Sequence, residues 1–187
     1  QALQGYTFQG MMDYHAWVLV SSMLYKGMNS TNLAEDIRLG RISTYLIYPF
    51  NFWELHTASF LAFELLQIFI CAFTLLALVL LGLISPPGLS EVLMGTAFSL
   101  LAGILWFLFQ YAAGLMAFWL EETWMLRVLF ELTANFFSGA VVPLEMYPSW
   151  LRSLLDYTPF PYLTYYPAKA FMGQAQAGTV ATDLAAS

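Results

Sequence analysis

The chain has 187 residues, of which 60% are hydrophobic, 18% aromatic and only 10% charged, with a formal net charge of −6. Soluble domains carry about 25% charged residues, so these values with long apolar runs leave an all-α, polytopic helical membrane protein as the fitting class. The acidic balance argues against nucleic acid as a partner, and the single cysteine, Cys71, forms no internal disulfide. Gln1 is followed by no basic n-region or cleavage site, and the tail from Gly173 to Ser187 is small and polar. The sequence is therefore expected to continue at both ends.

In chain order, the first span is expected over about residues 6–26. The apolar run Met11 to Tyr25 is broken by Asp13 and His15, and it reaches the roughly 20 residues of a crossing helix only if it starts near Tyr6. A polar island over 30–50 follows. In it Asn32 is placed to cap a helix, with Glu35 three residues on to close a capping box. Leu33 and Ile37 share an i, i+4 face, with Asp36 and Arg38 off it, and Gly40 is placed to stop the helix. An extended return from Tyr45 to Pro49 closes the island.

The second span is expected over 54–84, carrying Glu54, His56, Glu64 and Gln67 and stopped by Ser85-Pro-Pro-Gly88. Glu91 opens the third, over 91–120, where Gly95, Gly103, Gly114 and several alanines permit close helix approach. A polar turn from Glu121 to Arg127 leads into a fourth span, 125–142, with Glu131 and Asn135 inside it. From 143 to 173 the pattern changes. Pro143, Pro148, Pro159, Pro161 and Pro167 punctuate a stretch dense in aromatics, including Trp150. Short helices over Ser149–Tyr157 and Tyr162–Met172 suit a re-entrant or interfacial position. The positive-inside bias puts the island in the cytoplasm, with Lys26, Arg38, Arg41 and Arg127 inside and Arg152 and Lys169 outside.

Two segments resemble one family. Asp36-Ile-Arg-Leu-Gly-Arg-Ile-Ser-Thr-Tyr-Leu-Ile-Tyr-Pro49 is similar to the Ile-Arg-x-Gly segment with a downstream Leu-x-x-Pro of ABC transporter permeases of the type-2 exporter class. Phe137-Ser-Gly-Ala-Val-Val-Pro-Leu144, Tyr147-Pro-Ser-Trp150 and Thr158-Pro-Phe-Pro-Tyr162 resemble that family's Ser-Gly-x-x-x-Pro-Leu motif, Pro-x-Trp-Leu turn and Pro-Phe segment. The resemblance implies a chain running from the second span to the re-entrant region, without the first and sixth. It also implies a coupling helix over Leu33–Gly40, with Leu33, Asp36, Ile37, Arg38, Gly40 and Arg41 meeting a separate ATP-binding cassette ATPase. Further expectations from it are a second permease chain (a homo- or heterodimer) and a multi-pass location in the bacterial cytoplasmic membrane. This chain binds no cofactor by that reading, and ATP and Mg sit on the ATPase. The sequence itself contains no Gly-x-x-x-x-Gly-Lys-Ser/Thr phosphate loop.

Each candidate residue also has a structural reading. Periodicity alone leaves Leu33–Gly40 equally a docking helix or a surface helix packed on its own domain; the resemblance favours docking. Glu64, Glu131 and Asn135 are candidates for a substrate path, since an ionised carboxylate in an apolar helix is costly unless paired or wetted. Glu131 follows Arg127 by four residues, so an i, i+4 pair is the economical explanation for it. Glu64 has no sequence-local basic partner and is the stronger transport candidate. Glu54 and His56 lie near a membrane boundary, where solvation would satisfy them. His15 and His56 are not at metal-ligand spacing. The aromatics Phe160, Tyr162, Tyr165 and Tyr166 fit an interfacial belt more readily than a substrate platform. The alternative function is an ion-coupled secondary transporter using Glu64 and Glu131. A membrane-embedded enzyme lacks a nucleophile–base pair here.

Overall fold

The computed structural model describes residues 8–26, 30–45, 47, 51–84, 86–120 and 123–174. Among them all regular structure is helical: α1 Phe8–Tyr25, α2 Ser30–Arg38, α3 Ile42–Tyr45, α4 Phe52–Leu80, α5 Leu89–Leu115, α6 Trp124–Phe137, α7 Ser149–Leu155 and α8 Tyr165–Phe171. Short 3-10 turns add Met116–Phe118, Leu144–Met146 and Phe160–Tyr162. The expected span start at Tyr6, the end of the return at Pro49, and Ser85, Glu121 and Glu122 lie outside the described residues.

The two long helices are delimited by side chains next to their ends. Glu54 Oε2 accepts the Asn51 backbone N–H at 3.1 Å and Oε1 accepts the Asn51 side-chain amide at 3.0 Å, so Glu54 is a cap residue of α4. Glu91 does the same for α5, its Oε2 accepting the Gly88 N–H at 2.8 Å. At its other end α4 stops at Leu80, ahead of the expected Ile84. Gly82 enters the left-handed region at φ +67°. Its N–H meets Val79 O and that of Leu83 meets Leu78 O, both at 3.0 Å. This pair of bonds is a Schellman motif and satisfies two carbonyls that the helix end would leave open.

α5 lies at the centre, packed against α8, α1 and α2. Its small residues set the approach. The Phe171 ring of α8 sits directly on Gly95, Glu64 of α4 and the Leu24 carbonyl meet over Gly103, and Leu33 of α2 covers Gly114. Phe171 stacks on Trp17 at 4.9 Å, and Tyr25 meets Trp106 edge-on at 5.6 Å. Position along α1 and α2 therefore advances with position along α5, so α1 and α5 run side by side in one direction. α4 runs the other way, with Cys71 at Val20 and Phe60 stacked on Phe107 at 4.6 Å. Where apolar solvent gives helices no hydrophobic reason to associate, such close packing over small residues supplies the attraction.

The outer faces are apolar. Leu65, Phe69, Phe73 and Leu76 of α4 and Leu93, Leu101 and Ile104 of α5 are exposed. Apolar surface on that scale fits a lipid environment, not water. Trp53–Leu80 and Leu89–Phe118 are each long and apolar enough to cross a bilayer. α6 differs from the expected span 125–142. It has 14 residues, about 21 Å of helix against a hydrocarbon core of about 30 Å, and stops at Phe137. The turn through Gly139 is held from α1: Tyr14 Oη donates to Gly139 O at 2.7 Å, and His15 Nε2 lies 3.3 Å from Val141 O.

Candidate functional site

The polar island folds into a compact clasp. α2 begins at Ser30, so Asn32 lies within the helix and is not its cap. The stop at Gly40 is as the sequence reads: φ is +69°, with Gly40 N–H on Ile37 O at 3.1 Å and Arg41 N–H on Asp36 O at 2.9 Å. That turn sends the chain into α3, whose last residue, Tyr45, is the first of the expected extended return; most of that return lies outside the described residues. Tyr45 Oη comes back to donate to Asp36 Oδ2 at 2.6 Å, and Arg41 Nη1 lies 3.3 Å from Asp36 Oδ1.

The packing face of α2 also differs from the expected one. Leu33 is 1% exposed and turned into the chain's own bundle against Gly114. Asp36, expected off the apolar face, is 5% exposed. The reason is geometric: residues 33, 36 and 37 share a helix face, and the Gly40 turn delivers Tyr45 and Arg41 to satisfy the buried carboxylate. Ile37 is half-buried at the shoulder of that face. The outward side presents Glu35, Arg38, Leu39 and Arg41, with Arg41 Nη2 and Glu35 Oε1 paired at 3.0 Å. The clasp reaches the rest of the bundle through rings. Tyr45 meets His56 at 6.4 Å and His56 meets Tyr111 at 6.0 Å. His56 is thus buried in the fold, not solvated at a boundary.

The three polar candidates for a substrate path separate into two places. Glu131 and Asn135 stand one turn apart on α6, and both face Lys26 at the end of α1. Lys26 Nζ donates to Asn135 Oδ1 at 3.0 Å and lies 3.6 Å from Glu131 Oε1. Lys26, not Arg127, is the cation of Glu131, and sequence distance hid the pairing. Beside Asn135 opens a cavity of about 660 Å³ lined by Leu132, Thr133, Phe136, Phe137, Ala140 and Val141. Glu64 is elsewhere, between α4, α1 and α5, and 6% exposed.

The segment after α6 folds back over α1 and α5. Pro143, Pro161 and Pro167 are buried, whereas Pro148, Pro159 and Trp150 are exposed. Glu145 is the hub: Tyr165 Oη donates to its Oε1 at 2.6 Å and Lys169 Nζ lies 2.9 Å from the same oxygen. Burial pushes the Glu145 carboxyl up, but the bonds from Tyr165 and Lys169 and the ammonium charge outweigh it and hold it below its ordinary value. Tyr162 and Tyr165 pack on Tyr166 at 4.8 and 5.4 Å, and Phe160 turns inward to Phe130 and Phe137. These aromatics therefore pack chiefly on one another.

Long apolar helices with exposed apolar faces, joined by small-residue packing, define an all-helical integral membrane protein. The model of a family described as ABC-2 family transporter protein matches residues 1–186, and the chain belongs to that family. No curated protein and no solved structure matches it significantly.

Proposed function

We propose that the chain is the membrane-spanning permease subunit of an ATP-driven exporter, coupled through α2 to a separate ATP-binding cassette ATPase. The observation that carries this reading, given the family, is the seat of Leu33 on Gly114. It ties a short polar helix to the inner part of one of the long apolar helices, so force applied to α2 reaches α5. A nine-residue helix is too short to persist alone in water, and this seat gives it a fixed position. The ATPase then meets the outward side, Glu35, Arg38 and Leu39. Closure of the ATPases on nucleotide moves α2 and with it α5, alternating access to a path between two permease chains. ATP and Mg belong to the partner, and the setting is a bacterial cytoplasmic membrane.

The ion-coupled carrier reading loses support at Glu131, whose carboxylate is matched by Lys26. The deciding experiment is copurification with a co-expressed candidate ATP-binding cassette ATPase. Arg38→Glu with Leu39→Asp should abolish recovery of the ATPase while the permease still inserts and keeps its own oligomeric state. Full recovery and normal stimulation of hydrolysis in that variant would remove α2 from the coupling role.

A further inference from the structure

Glu64 occupies the middle of α4, a helix whose neighbouring side chains Phe63, Leu65 and Leu66 point outward. Its own side chain points inward, and neither carboxylate oxygen has a hydrogen-bond partner among the described residues. From α5, Gly103 supplies only space: a Cβ there would stand 3.4 Å from Glu64 Oε1 and 3.6 Å from the carbonyl oxygen of Leu24. The carboxyl and that carbonyl thus converge over one glycine.

One turn further out, Ser21 of α1 and Ser99 of α5 are fully buried, and their hydroxyls also lack partners among the described residues. The titratable groups nearest on α1 are Tyr25, which accepts from Thr164, and Lys26, which is engaged by Asn135 and Glu131. α5 presents none at this level. α4 itself offers His56 and Cys71, each about two turns away. An ionised carboxylate without a counter-charge is strongly disfavoured in such a place. A protonated one is not: the acid carries no charge, and the Leu24 carbonyl oxygen, a potential acceptor, stands beside the same glycine.

We propose that Glu64 is a proton-binding site. The carboxyl holds its proton while α1, α4 and α5 are packed as described, with the O–H directed at the Leu24 carbonyl. When α5 parts from α1 and water enters over Gly103, the O–H bond breaks, the proton passes to water, and the electron pair stays on the carboxylate. Repacking reverses the step. The site stands on the packing alone; only its timing within a transport cycle rests on the exporter reading.

The test therefore uses the permease without any ATPase. Purified protein in lipid nanodiscs is treated with dicyclohexylcarbodiimide, an apolar reagent for protonated carboxyls, and adducts are mapped by mass spectrometry. We expect an adduct at Glu64 at neutral pH, its loss as pH is raised, and no change when sodium replaces choline at constant ionic strength. Glu64→Gln should give no adduct in that peptide. An unmodified Glu64 in the native protein, or modification independent of pH, would overturn the assignment. Protection by sodium at fixed pH would overturn it in favour of a metal-cation site. The wild-type adduct is itself the readout, so poor folding of the variant leaves the test intact.

Discussion

Leu33 rests on Gly114 so closely that a Cβ on residue 114 would come within 2.8 Å of the leucine Cδ2. No side chain fits there unless Leu33 gives way. Gly114→Val should lift α2 from α5 and forfeit roughly the 2–5 kcal/mol of a buried leucine. We expect faster proteolysis between α2 and α3 and, if α2 couples to an ATPase as proposed, ATP hydrolysis that no longer drives transport while that ATPase stays bound. Unchanged protease resistance and transport would show that the seat transmits nothing.

The Lys26 and Glu131 side chains are 34% and 47% exposed, so their pair belongs to the weaker kind of ion bridge. Lys26→Ala should cost about 0.5–1 kcal/mol, and Arg127→Ala should cost less. Exchanging the charges, Lys26→Glu with Glu131→Lys, should recover part of the loss. A double-mutant cycle on thermal unfolding reads the coupling directly. Strict additivity would mean that the two residues are merely neighbours.

Glu145 gives the segment after α6 a pH dependence of known sign. Its carboxyl is held below the ordinary value of 4.5 in the folded protein. Its stabilising contribution is therefore complete above the unfolded value and fades as pH falls through the folded one. Amide protection over 143–173, relative to the intrinsic exchange rate, should fall on acidification below the ordinary carboxylate value, and Glu145→Gln should abolish that dependence while lowering protection at neutral pH. An acid response that persists in the glutamine variant would assign it to another group.

Sidedness is open to direct measurement. With Cys71→Ala as background, a cysteine at exposed Ser43 should react with an impermeant maleimide from the cytoplasm, and one at exposed Ser149 from the opposite side. Reaction of both from one side would contradict the inside placement of Arg38 and Arg41.

What the sequence revealed follows the range of the forces involved. The stop at Gly40 and the opening of α5 by Glu91 depend on residues within four positions, and both are as read. The partner of Glu131 was not legible, because Lys26 lies 109 positions from its other contact, Asn135. Arg127, the nearer cation by sequence, carries no bond to Glu131. Asp36 was misplaced for a related reason: a buried carboxylate needs donors, and only the fold brings Tyr45 back to it. Likewise α6 ends early because Tyr14, from the other end of the chain, fastens the turn at Gly139.

The glycine seat at residue 95 also bears on how the protein is made. Glycine within a helix costs about 1 kcal/mol relative to alanine, and the Phe171 ring that occupies the seat at Gly95 belongs to α8, the last helix described. During synthesis α5 therefore leaves the ribosome before the side chain that completes its N-terminal half exists. That half enters the bilayer with its glycine face bare and matures only after α8 arrives, which makes Phe171 the closing step of biogenesis for this part of the bundle.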